Sequence, residues 1–178
     1  MTGPTHLAIA AVATVILGQQ TGQVPPGLIG WITVLGGSLL PDIDEPHSTA
    51  SNPAGLFTKI MPRWVQNMLN SPFRAISEAI RAVFGHRGAT HYLIWPVMMI
   101  WLAGYSGTNW LWWLAWGYLW HQLADWITTM GIPAWGPFQR HTFSILPKGL
   151  RLKTGGPIEQ LINTACWLYL LYTAYLYF

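Results

Sequence analysis

"NWLWWLAWGYLWHQLADWITTM", residues 109–130, decides how the rest of the chain is read. Its one formally charged residue is Asp125, and its length matches the run of about 20 apolar residues that a helix needs to cross a bilayer. Trp110, Trp112, Trp113, Trp116, Trp120 and Trp126 go all round such a helix, which reads as packing and interfacial anchoring rather than a cofactor box. His121 and Asp125, four residues and about 6 Å of rise apart, share one face, and Gly117 and Thr128 continue a small or polar stripe. An aspartate at the centre of a membrane helix costs about 2.5–3.5 kcal/mol. Asp125 lies near the end of the segment, where the cost is smaller, and it is expected to face the interior with a partner: a metal, His121 or Arg87.

Composition points the same way. Only 8% of the 178 residues are charged and 52% are hydrophobic, against about 25% charged in an ordinary soluble domain. One domain, 1–178, is expected. Cys166 is the single cysteine, which leaves no disulfide framework and no thiolate metal site. The net charge of +3 comes from basic residues spread through loops without interleaved stacking aromatics, so nucleic acid is not an expected partner. "MTGPTHLAIAAVATVIL" lacks a basic leader and reads as a retained first span.

Five apolar segments follow: Thr5–Leu17, Gly27–Leu40, His91–Ala103, Asn109–Met130 and Ile158–Phe178. All nine Lys and Arg fall in the second and fourth connections, which the positive-inside rule assigns to the cytoplasm. The expected fold is therefore all-α: a polytopic integral membrane bundle of about five transmembrane helices in the inner membrane, with a cytoplasmic N-terminus. In the second connection, Ser71 and Pro72 read as the start of a basic amphipathic helix bearing Phe73, Ile76, Ile80 and Val83. "PRWVQNMLN" before it reads as a shorter one, and the interfacial insertion spans about 57–84.

The groups able to bind a metal or move protons map to one side: His6, Asp42, Asp44, His47, His86, His91, His121, Asp125 and His141. In "LLPDIDEPHS" (39–48) the prolines argue for an extended stretch in which Asp42 and Asp44 point the same way. His86 and His91 do not share a helical face and meet only if the loop turns them together. His6 has the alternative of satisfying a first helical turn, and His141 reads as a loop residue. Glu159 follows Gly156 and Pro157 at the third helical position and is expected to bond back to the cap amide.

"TGPTHLAIA", "LLPDIDEPHS", "GHRGATH" and "HQLADW", in that order, together with "RLKTGGPIE", resemble the YdjM-like family of predicted membrane-bound metal-dependent hydrolases. The resemblance implies a polytopic helical fold, hydrolase activity and a metal site formed by His6, Asp42, Asp44, His86, His91, His121 and Asp125. One or two divalent ions are expected, zinc first, then manganese or iron, since imidazoles disfavour calcium. Metal-activated water would cleave an ester or phosphoester, with Arg87 steadying the developing charge and Asp44 or His47 moving the proton. The expected partners are membrane lipids and a lipid or membrane-associated substrate at the cytoplasmic interface. Two other readings compete: a metal- or proton-coupled transporter, which needs polar residues continuing toward the far side, and a nonenzymatic membrane protein whose structural metal site is closed.

Overall fold

A computed structural model describes residues 1–54, 60–84, 88–139 and 141–177. Six α-helices lie among them: α1 (Gly3–Thr21), α2 (Gly27–Leu39), α3 (Arg63–Phe84), α4 (Ile94–Ser106), α5 (Asn109–Trp126) and α6 (Pro157–Tyr177). Short 3-10 turns at Leu40–Asp44 and Ala89–His91 follow α2 and precede α4. The segment between α5 and α6 is held by two isolated bridges, Thr128 with Leu152 and Ile132 with Phe143.

Helix α5 is the hub, packing on α1, α2 and α4, while α1 also carries α2 and α6. Small residues set how closely these helices approach. A Cβ on Gly117 would lie 1.9 Å from the Val34 carbonyl oxygen, and one on Gly37 would lie 2.1 Å from that of Leu114. The α2 and α5 backbones therefore touch, which only glycine permits at both positions. Ala10, Val34 and Trp113 form the buried core beside this contact, flanked by Leu17, Trp112, Trp116 and Trp120. Trp116 donates its indole N–H to Thr14 Oγ1 at 3.2 Å, so a polar handle inside the core is satisfied.

The expected apolar segments coincide with five of the helices, but the membrane-spanning reading does not hold. No described helix is long and apolar enough to cross a membrane. With 13 residues each, α2 and α4 reach about 20 Å at 1.5 Å per residue, against a hydrocarbon core of about 30 Å. The longer α1, α5 and α6 are diluted by polar side chains: Gln19, Gln20 and Thr21 in α1, His121, Gln122 and Asp125 in α5, Glu159, Gln160 and Asn163 in α6. Tryptophan and tyrosine also mislead, because they add bulk while carrying a polar N–H or O–H. Without such a span among the described residues, the expected five-span topology, inner-membrane and cytoplasmic-side assignments, membrane-embedded catalysis, transporter alternative and lipid partners do not hold.

The amphipathic region is also corrected. Instead of two helices broken at Ser71, α3 is a single 22-residue helix with Pro72 inside it. Proline cannot donate to the carbonyl four residues back, that of Met68. Ser71 Oγ donates to that same Met68 oxygen at 3.1 Å and satisfies the acceptor the proline leaves free. Helix α3 packs on the Leu40–Asp44 turn. Its polar face is the one that docks: Asn70 and Ser77 are buried, and Arg81 meets Glu45 at 3.1 Å. Trp64, Met68, Phe73, Ile76 and Val83 point outward.

Candidate metal centre

Four elements converge where α5 ends. From α5 itself come His121 and Asp125, from the Leu40–Asp44 turn Asp42, from the Ala89–His91 turn His91, and from the first turns of α1 His6. Asp42, His91, His121 and Asp125 each offer one ligand atom, all within 4.8 Å of one another. His121 Nε2 is 3.6 Å from Asp42 Oδ1 and 3.9 Å from Asp125 Oδ2. His91 Nε2 is 3.7 Å and 3.8 Å from the same two oxygens. His6 stacks its ring on His121 at 3.7 Å between centroids and places Nε2 3.3 Å from Asp125 Oδ1.

The protonation state of His121 makes this geometry informative. Its Nδ1 lies 2.7 Å from the Ser38 carbonyl oxygen, which can only accept, so Nδ1 carries the hydrogen. Burial, and then the neighbouring His6, pull its pKa down to about 3, so the ring is neutral. Nε2 therefore presents a lone pair, makes no hydrogen bond, and faces two carboxylates. Asp42, His91, His121 and Asp125, shielded from solvent except for a partly exposed Asp42, form a donor set able to hold a cation. The Met1 ammonium bonds Asp125 Oδ1. Burial opposes ionisation of Asp125, yet the bond from His6 and the Met1 charge hold its carboxyl well below the usual range.

The residues fit a metal ion. Bonds of 2.0–2.2 Å to imidazole and carboxylate imply donor separations of roughly 3.3–3.5 Å around a tetrahedral ion. The four separations of 3.6–3.9 Å exceed that by a few tenths of an ångström. Both rings are also held from behind: the Ser38 carbonyl accepts from His121 Nδ1, and Thr90 Oγ1 is hydrogen-bonded to His91 Nδ1 at 3.1 Å.

Other candidate residues lie elsewhere. Asp44 is buried near Tyr118, outside the four-residue cluster. The cause is local conformation: the stretch forms a 3-10 turn, not an extended strand, so residues two apart diverge by about 240°. His47 and His141 are exposed, and the His47 backbone N–H bonds Glu45 Oε1 at 3.3 Å. His86 and Arg87 lie outside the described residues. Glu159 accepts from the Gly155 N–H at 2.8 Å, one residue earlier than expected, and also from the Thr2 N–H at 2.6 Å. The clamp on Thr2 ties α6 to the segment that delivers His6. Sequence reasoning missed Ser38 and Thr90, because a backbone carbonyl and a lone hydroxyl leave no pattern; the small run Gly36–Gly37–Ser38 opposite Gly117 was the available signal.

An all-α fold, with six α-helices among the described residues and a buried histidine and aspartate cluster of metal-ligand spacing, is the class that fold and site define. The family described as YdjM inner membrane protein matches residues 1–178, and the chain belongs to that family. No curated protein and no solved structure matches it.

Proposed function

We propose that the protein is a divalent-metal-dependent hydrolase whose ion is held by Asp42, His91, His121 and Asp125 and whose substrate is an ester or phosphoester. The observation that carries this reading is the convergence of Asp42, His91, His121 and Asp125, whose ligand atoms all lie within 4.8 Å of one another. When bound, the ion supplies Lewis acidity and a nucleophile at neutral pH by lowering the pKa of water. Zinc, manganese and iron all suit two imidazoles with two carboxylates.

The chain's own groups then have distinct tasks. Ser38 and Thr90 fix the orientation of the two ligand rings. His6, 3.3 Å from Asp125 Oδ1 and stacked on His121, is placed to hold or move a proton beside the ligands. Asp42 is the ligand that meets solvent, so substrate approaches from its side. A closed structural site has four protein ligands, whereas catalysis needs an open position. Of the four donors, Asp42, the one partly exposed to solvent, would be able to yield it.

The test combines metal analysis with turnover. Purified protein and its Asp42→Ala, His91→Ala and Asp125→Ala variants are assayed for bound metal and for hydrolysis of 4-nitrophenyl acetate and 4-nitrophenyl phosphate. The expected result is a bound ion in the native protein, loss of metal in the variants, and hydrolysis abolished by a chelator. Equal metal content in all four proteins would sink the centre; metal without hydrolysis would leave it a structural site.

A further inference from the structure

Beside the centre runs a groove of about 520 Å³ walled by Leu40, Ile43, Ile80, Trp95, Met98 and Met99, within the roughly 300–1,000 Å³ of small-molecule pockets. Its wall also includes Thr90 and Tyr118. Two features characterise it. The first is closeness to the ligands: none of the four lines the groove, but Thr90 Oγ1 bonds His91 Nδ1, Ile43 follows Asp42, and Tyr118 stands three residues before His121. Three ligand-bearing elements thus form its wall. Two other grooves, one at the α1–α2 and α4–α5 connections and one between α1 and α6, include none of these residues.

The second feature is that its polar atoms are already engaged with the protein. Thr90 Oγ1 is taken by His91, the Tyr118 hydroxyl donates to the Thr90 carbonyl, and the Trp95 indole N–H donates to the Ala89 carbonyl. An occupant therefore meets hydrocarbon, thioether and aromatic surface, and a charged or strongly polar occupant would lose hydration without compensation. We infer that this groove is the specificity pocket of the metal centre and takes an uncharged aryl or short alkyl group of the ester or phosphoester. The assignment rests on the hydrolase reading for what is cleaved, but not for what is bound.

The experiment titrates the neutral fluorophore N-phenyl-1-naphthylamine into the full chain, with and without zinc, and measures zinc affinity separately by calorimetry. Met98→Asp and Ile80→Asp place a charge in the groove at partly exposed positions, where folding tolerates it. Val24→Asp places one in both other grooves, at an exposed position. Saturable one-to-one binding is expected in the native chain, weakened at least tenfold by Met98→Asp and by Ile80→Asp and unchanged by Val24→Asp. Circular dichroism and an unaltered zinc affinity confirm that the variants fold. No one-to-one binding, binding indifferent to Met98→Asp and Ile80→Asp, or binding lost in Val24→Asp would each overturn the assignment. Zinc binding without fluorophore binding removes the pocket and leaves the hydrolase reading. Fluorophore binding without zinc binding does the reverse.

Discussion

Around the end of α5 the interior holds His6, His91, His121, Gln122 and Asp125 with no measurable exposure, whereas along α3 Trp64, Met68, Phe73, Ile76 and Val83 face outward. Burying ionisable groups costs several kcal/mol each unless they are paired or coordinate a metal, so the first region is stable only as a constellation. In the second region, asparagine and arginine make the attachment to the loop that follows the Leu40–Asp44 turn. One region uses apolar packing to force polar groups together. The other uses polar contacts to hold an apolar face away from the core.

The contrast breaks most severely if the α2–α5 approach is opened. Gly117→Ala puts a methyl 1.9 Å from the Val34 carbonyl oxygen and 2.9 Å from the Ser38 nitrogen. Neither neighbour is a flexible side-chain end, so the helices must separate. Overpacking of this kind costs about 3 kcal/mol or more. The same separation moves Ser38 from His121, so zinc affinity is expected to fall at least tenfold. Urea denaturation and calorimetric titration measure the two losses; a variant as stable and as zinc-avid as the native chain would refute the backbone contact.

A smaller effect is expected at Glu159, which joins α6 to the N-terminal segment. Burial raises its pKa, but the N–H donors of Thr2 and Gly155 outweigh burial and hold the carboxyl below its ordinary value of 4.5. A depressed carboxylate contributes stability above its unfolded pKa, and that stability is lost as pH falls through the folded value. Glu159→Gln keeps the shape and removes the charge. At pH 7 it is expected to cost about 1–2 kcal/mol, and below about pH 4.5 the native and variant stabilities should converge. Parallel curves over that range would show that the charge does not contribute.

Much of the site was legible because helical spacing is a local property. His121 and Asp125 are four apart, and that alone places them on one face whatever surrounds the helix. Which acid of Asp42 and Asp44 joins them was not legible, since extended and 3-10 backbones send the second residue in different directions and the prolines are compatible with both. The meeting of Asp42, His91 and His121 depends on α2 and α4 flanking α5, a tertiary fact with no pattern in the chain. Helix positions followed from the apolar runs. The inference from those runs to membrane spans fails because α2 and α4 have only 13 residues each and polar side chains interrupt α1, α5 and α6.

Along α3 the effects become smallest and the comparison sharpest. Phe73 and Ile76 lie on the outward face, so Phe73→Ser and Ile76→Ser should change stability by no more than about 0.5 kcal/mol. Asn70 is buried and its Oδ1 accepts the Ala54 N–H at 3.0 Å. Asn70→Ala leaves that donor unsatisfied at a cost of about 1–3 kcal/mol. Removing an asparagine should therefore do more harm than removing a phenylalanine on the same helix, the reverse of what a helix docked by its apolar face would show. Equilibrium unfolding of the three variants ranks them, and a larger loss for Phe73→Ser than for Asn70→Ala would mean that the apolar stripe of α3 packs inward.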